Sequence, residues 1–531
     1  MEIWSWICEL LESDEWSTEA NSPLVFPLVT SSNYKQPIQV FKKSVSDEIQ
    51  PIQLKAERSF DTNSSAVLTF SICYGENTLW VSDTCPLDSK QPFLPLILQL
   101  LQEIIACAPT AQESCCPRSQ LQKVKPDPVL WILESHSPES ISGFFDVVFL
   151  MHLFWLCVCD APPEVGSMYF HTLLAPNLEG FSCSRAPVLR NFLVSVGIDV
   201  ELCFMRTFGY MISKLLILKE LGVGLQLVTP LPFRNLGFSY AMESHGLWIM
   251  KSYTPVSAMR LTSCNDKTSR FLALHPQEAV LKYALAHQQL EAVMQLEYSV
   301  KFNDGFIQVS ARVDNLRFHI AKLGFNKNED DDYSNEMYFP SRIRIWVGPE
   351  MGANYVTSVS LGRSTDNSEK EVEMQRVLKG NFGKLKTPEV KATSRTLMRS
   401  KMKNWNWDQN ADGNVANIES ALCDNATGME LATLKPSNGV GGNNFRDRYT
   451  GASRAFTKNG DLIFSGNECG ERVEWRLNRE MEGSVLKWRI GGQVWLSYMP
   501  NEVNTSYYET RCVEWCDEVD LPLIIGNYLL N

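Results

Sequence analysis

Between Val473 and Tyr498 the chain reads VEWRL, NREMEGS, VLKWRI, GG and QVWLSY in succession. Val473, Trp475 and Leu477 alternate with Glu474 and Arg476, and Leu486, Trp488 and Ile490 alternate with Lys487 and Arg489. Such period-2 alternation, one face apolar and the other charged, belongs to half-buried antiparallel strands. Gly491-Gly492 can supply the positive φ of a two-residue hairpin turn, so the spacing predicts three strands with the last two joined at that glycine pair. This pattern constrains the C-terminal half to antiparallel sheet and names no chemistry.

A length of 531 residues fits two to four domains. At 44% hydrophobic and 21% charged residues the composition is that of a globular protein. The net charge of −12 argues against a general nucleic-acid binder, which carries a basic domain. The N-terminus, MEIWSWICELLESDEWSTEA, has neither the basic start of a signal peptide nor an Arg-rich, acid-poor transit bias. The 15 cysteines are therefore read as free thiols in a reducing, cytoplasmic setting. Cys157 and Cys159 in the apolar run FWLCVC are read as small hydrophobes. The run Phe144–Cys159 is 16 residues long and interrupted by Asp146 and His152, so it is expected to be a buried core helix and not a membrane span.

Along the chain, residues 36–83 read as a small antiparallel sheet and Pro92–Ala108 as a helix. Residues 129–221 are expected to be mostly helical, with Asp199 as N-cap and Gly222 just past the end of the last helix. Gln277–Gln288 is expected to be a further helix. LEAVMQLEYSVKF, NDG and FIQVSARVDNLRF form a hairpin pattern turning at Asp304-Gly305. RIRIWVG is a strand, and a second hairpin is expected around Asn425–Gly428. The expected fold is α+β: a helix-rich N-terminal region with a small sheet, plus a C-terminal antiparallel β sandwich or barrel. The expected divisions are a small mixed region at 1–128, a helix-rich region at 129–289 and a β-rich domain at 290–531. FPSRIRIWVGPE and VEWRLNREMEGSVLKWRIGGQVWLSY resemble segments of a plant-type protein family of unknown function. That resemblance covers the C-terminal half and implies no activity and no site residues.

Two segments carry possible chemistry. From Arg376 to Lys403 there are nine Lys or Arg and one acid, Glu389, a local +8. Basic and aromatic residues together suit anionic lipid head groups or single-stranded nucleic acid; the alternative is a solvated loop or an edge strand protected by lysines. The residues expected to bind are Lys384, Lys386, Lys391, Arg395, Arg399, Lys401 and Lys403. The stretch Asp408–Glu419, DQNADGNVANIE, fits the EF-hand loop pattern, with calcium oxygens from Asp408, Asn410, Asp412, Asn414 and Glu419. Against it, the following ALCDNATGMELATL reads as strands where an EF-hand needs a helix. The acidic run Glu329–Asp332 is read as a solvated loop. Cys512 and Cys516 lack the paired spacing of a zinc site and are read as packing residues of a strand. No nucleophile elbow, P-loop, zincin or dinucleotide motif occurs. The expected function is a non-catalytic binding or scaffold protein with a protein or anionic partner. Alternatives are a calcium-binding module and an enzyme of unrecognised class using a cleft between the two halves.

Overall fold

The computed structural model describes residues 2–11, 23–29, 51–60, 65–111, 124–159, 161–177, 187–220, 238–244, 247–256, 287–324, 338–362, 370–382, 390–402, 405–422, 462–465, 472–498 and 509–524. The fold is α+β and divides into two compact units. Unit 1 comprises Met1–Met242, Met250–Ala292 and Ile320–Ser334; unit 2 comprises Glu243–Ile249, Val293–His319 and Asn335–Asn531. The helix expected at Gln277–Gln288 and the hairpin expected near Asn425–Gly428 lie outside the described residues, except that Gln288 opens a strand.

Unit 1 begins with α1 (Ile3–Glu9) and an antiparallel sheet ordered β1 (Leu24–Val29), β2 (Ile52–Phe60), β3 (Ala66–Tyr74) and β4 (Asn77–Val81), with β5 (Cys85–Pro86) paired to β3. Its helices are α2 (Leu94–Cys107), α3 (Pro126–Ser135), α4 (Pro138–Cys159), α5 (Pro163–Met168), α6 (Ala175–Asn177), α7 (Pro187–Ser195) and α8 (Ile198–Glu220). A π-helical turn, Tyr169–Leu174, joins α5 to α6. The two-residue β6 (Thr110–Ala111) follows α2.

α4 starts where Pro138 presets the helical φ and the Ser137 hydroxyl accepts the Ser140 N–H at 3.4 Å. It is long and apolar enough to cross a bilayer, yet 72% of its most apolar window is buried inside the protein. Phe144, Phe145, Phe149 and Phe154 are all fully buried in the unit 1 core, which is why the run has no solvent-facing stripe. α8 starts two residues earlier than an N-cap at Asp199 implies, at Ile198. Asp199 therefore sits in the first turn, where an acid complements the helix dipole.

Strands β7 (Phe238–Ser244), β8 (Leu247–Pro255), β9 (Gln288–Asn303) and β10 (Phe306–Gly324) contribute residues to both units. The turn between β9 and β10 is at Asp304-Gly305 as expected, with Gly305 at φ 97°. Unit 2 adds β11 (Phe339–Pro349), β12 (Val356–Leu361), β13 (Lys370–Phe382), β14 (Val390–Met402), β15 (Trp405–Asp412), β16 (Val415–Leu422), β17 (Leu462–Ser465), β18 (Arg472–Asn478), β19 (Val485–Tyr498) and β20 (Glu509–Pro522). One sheet runs β12-β18-β10-β9-β8-β7, with β17 and β6 on β10. A second runs β15-β16-β11-β19-β20, and β13-β14 is a sheet by itself. Within unit 2 the first two sheets meet through Trp475 edge-on to Trp488 at 5.0 Å and Phe318 against Trp515 at 6.3 Å. That is sandwich packing; no described sheet closes into a barrel.

The glycine pair is not a turn. β19 runs straight through Gly491 and Gly492, pairing Trp346 and Ile345 of β11 on one side and Cys516 and Trp515 of β20 on the other. The physical reason is space. A Cβ on Gly491 would lie 2.4 Å from the Trp346 ring; one on Gly492 would lie 2.5 Å from the Trp515 ring and 2.8 Å from the Arg344 carbonyl oxygen. Two neighbouring tryptophans, one on each face, occupy the volume the side chains would need.

Candidate functional site

The basic segment folds into the hairpin β13–β14, with thirteen consecutive register pairs. Lys391, Arg395, Arg399 and Lys401 all lie on β14 at odd positions, so they share one face. Lys384, Lys386 and Lys403 lie outside the described residues. The register sorts the four into two classes. Lys401 stands opposite Glu371 and Arg399 opposite Glu373, so the register puts opposite charges across from each other at the open end of the hairpin. Arg395 stands opposite Val377 and Lys391 opposite Asn381, with Lys379 opposite Thr393 on the same face. The unmatched bases thus gather toward the turn end, where the last pair is Phe382–Val390. The even positions of β13, Val372, Met374, Leu378 and Phe382 among them, form the more apolar face, with Arg376 at its middle.

The calcium-loop pattern takes a different form. Asp408 to Glu419 is the hairpin β15–β16, turning at Gly413 with φ 60°. Strands flank it where an EF-hand has helices, because Trp405 and Trp407 and then Ile418 and Leu422 alternate inward as buried residues. Asp408 and Glu419 are a cross-strand pair. Glu419 instead accepts hydrogen bonds from Arg342 Nη2 at 2.8 Å and Arg344 Nε at 2.5 Å. Partial burial pushes its carboxyl up, but the two guanidiniums outweigh this and hold it below the usual range. Asn414 is tied by its amide to the Ala353 carbonyl at 3.0 Å, and its carbonyl accepts the Trp475 indole N–H at 2.8 Å. Its backbone oxygen is thus already committed to the protein. Among the described residues no group of three or more His, Cys, Asp or Glu is placed to hold a metal ion.

The densest polar chemistry lies inside unit 1, along the face of α8. Glu201, 2% exposed, accepts hydrogen bonds from the Lys251 ammonium at 2.7 Å, from the Tyr253 hydroxyl at 2.9 Å and from the Tyr240 hydroxyl. Burial raises its pKa despite these donors. One turn and a half along, Arg206 Nε donates to Glu291 at 2.9 Å, both nearly buried. Next, Gln289 packs on Gly209, so closely that a Cβ there would lie 2.2 Å from its amide oxygen. Among the described residues neither polar atom of Gln289 has a hydrogen-bond partner, and the fully buried Thr207 hydroxyl lacks one too. At the far end Lys214 lies over the Tyr210 ring at 5.2 Å, and Tyr210 packs on His287 at 5.2 Å. Burial pushes the Lys214 amine down to about 8, and burial together with Lys214 pushes His287 to about 4. Glu291, Gln289 and His287 alternate toward α8 as a buried seam that ties helix to sheet.

This seam escaped the sequence reading. Its signals were single charges inside apolar runs: Glu201 in VELCFM and Lys251 in WIMKSYT. A second polar contact joins the buried His152, through Nε2, to the partly exposed Glu103 at 2.6 Å, with Trp80 and Gln99 donating to the same carboxylate. Cys512 and Cys516 correct their expected packing role: both are on β20 as foreseen, but on its exposed face. Buried thiols are held protonated; burial lifts Cys85 to about 11 and Cys157 to about 12.

No family model matches the chain, and no curated protein matches it. Solved structures similar to part of it include the Clostridium perfringens NetB toxin in the membrane inserted form, at 8% identity over 54% of this chain and 94% of that one, TM-score 0.21. Clostridium perfringens delta-toxin aligns at 12% identity over 54% of this chain and 96% of that one, TM-score 0.22. A pore forming protein aligns at 12% identity over 53% and 94%, TM-score 0.21. Likeness at this level carries no argument about this chain.

Proposed function

We propose that this chain is a non-catalytic binding protein that docks on an anionic membrane surface through the turn end of the hairpin β13–β14. The observation that supports it is the register. It sets Lys379, Lys391 and Arg395 opposite Thr393, Asn381 and Val377 toward the end that closes on the pair Phe382–Val390, while Arg399 and Lys401 stand opposite Glu373 and Glu371. Bases on one face and an apolar pair on the other at the same end of a ribbon are the chemistry of a headgroup–acyl boundary. Lys384 and Lys386, in the connecting segment 383–389, add to the same end by sequence. The cytoplasmic leaflet, where anionic lipids are enriched, is the surface such a tip fits.

Full insertion of the hairpin is disfavoured. Arg376 at mid-strand on the apolar face would cost about 2–4 kcal/mol at a bilayer midplane. A lone hairpin would also leave two unpaired edges in lipid. Flotation of the purified chain with phosphatidylserine-containing and neutral vesicles, at low and high salt, tests the reading. Binding confined to anionic vesicles and lost at high salt supports it. Salt-insensitive binding, or binding to single-stranded RNA with no vesicle binding, replaces it with another partner class.

A further inference from the structure

β13 and β14 form a sheet of two strands, and no other described strand pairs with either. Such a ribbon is marginal in water unless something adds to its edges. Charge decides what can add. β14 carries Lys391, Arg395, Arg399 and Lys401 at odd positions and no acid; β13 carries Glu371, Glu373 and Lys379 at odd positions, with its other bases, Lys370 and Arg376, at even ones. The β14 edge laid on the β14 edge of another copy sets four cations against four. The β13 edge laid on another β13 edge leaves the cationic edges bare. The β14 edge laid on the β13 edge of a second copy repeats the pairing already made within the hairpin, antiparallel and with the same face up, Arg399 and Lys401 meeting Glu373 and Glu371.

We propose that hairpins of successive copies of this chain pair edge to edge, β14 of one on β13 of the next, in the register of the internal pair. The partner is therefore a second copy, presenting its Glu371–Glu373 edge. The contact is heterologous. Each added copy leaves the same two edges open, so assembly passes beyond a dimer until a ring closes or a filament extends. This uses the open end of the hairpin and does not depend on the membrane docking of its turn end.

The test is a sign reversal that preserves the fold: Glu371→Lys, Glu373→Lys, Arg399→Glu and Lys401→Glu together. Every attraction inside the hairpin survives with its polarity exchanged. In vesicle-free solution, wild type and the reversed chain each form species larger than a dimer by light scattering. Mixed after fluorescent labelling, they sort, with energy transfer between types at least about tenfold below transfer within a type, since each mixed contact turns two attractions into two repulsions. A wild type that stays monomeric at high micromolar concentration, or stops at a dimer, overturns the proposal. So does mixing equal to or greater than self-association, greater mixing being the mark of like edges pairing. A monomer that floats with anionic vesicles overturns the assembly and leaves the membrane reading standing; an assembly that ignores vesicles does the reverse.

Discussion

The membrane reading makes a prediction that separates two pairs of bases on one strand. Lys391→Gln with Arg395→Gln removes two charges at the turn end of β13–β14. A base at an anionic surface contributes about 1 kcal/mol; Lys391 is one residue from the terminal pair, while Arg395, five residues and roughly 16 Å up the strand, is about two Debye lengths away and adds little, so the double variant loses about 1 kcal/mol, or roughly fivefold in vesicle partitioning. Arg399→Gln with Lys401→Gln removes the same charge from the same strand. Arg399, however, is nine residues from the terminal Val390 pair. At about 3.3 Å per residue that is roughly 30 Å, beyond three Debye lengths of about 8 Å at physiological salt. Its removal changes partitioning by less than about twofold. The assay is flotation against a series of phosphatidylserine fractions, with far-ultraviolet circular dichroism to confirm that each variant is folded. Equal losses for the two double variants, or no loss for Lys391→Gln with Arg395→Gln, refute tip docking.

Other outcomes follow from the geometry. Gly492→Ala places a methyl against both the Trp515 ring and the Arg344 carbonyl; overpacking of this kind costs about 1–3 kcal/mol, read as a lower urea midpoint at unchanged slope. Lys214 has its folded-state pKa pushed from 10.5 to about 8, so the unfolded chain holds the extra proton between those values. Stability present above pH 10.5 is lost as pH falls through 8, by at most about 3 kcal/mol, and Lys214→Met should abolish that slope in thermal melts. Glu201→Ala leaves Lys251 and two hydroxyls without their acceptor and should destabilise by about 3 kcal/mol, measured by chemical denaturation. Because Glu419 serves Arg342 and Arg344, calorimetry with millimolar calcium should give no binding heat at Asp408–Glu419; saturable heat removed by Glu419→Gln would reinstate a calcium site.

Legibility in the sequence tracked the range of the interactions involved. β18 was readable because its alternation, Val473, Trp475 and Leu477 inward, is local, and so was the β9–β10 turn at Asp304-Gly305. Gly491-Gly492 was misread because two glycines satisfy a tight turn and a tight approach equally well. The deciding groups, Trp346 and Trp515, come from other strands, the first some hundred and forty residues away. The EF-hand pattern matched letter by letter, yet Trp405, Trp407, Ile418 and Leu422 impose period 2 on the same stretch. The α8 seam was hidden for a third reason. His287, Gln289 and Glu291 are polar residues facing inward, which binary patterning assigns to the surface, and the partner of Glu291 is 85 residues distant. For the basic segment, composition exposed the charge, and the pairing register alone separated matched from unmatched bases.

The pairing of β10 with β18 sets a schedule for synthesis. Gln308 meets Glu474 across 166 residues of chain. At about 5–20 residues per second, a ribosome holds the finished β9–β10 hairpin waiting roughly 10–30 s for its neighbour to emerge. During that interval the edge of β10 from Phe306 to Arg312, which pairs with β18 in the mature protein, presents open backbone N–H and C=O groups. Nascent chains of this protein should therefore be heavy clients of ribosome-associated chaperones. Codon changes that slow elongation between residues 320 and 470 should lower the yield of folded protein without altering a single residue of it.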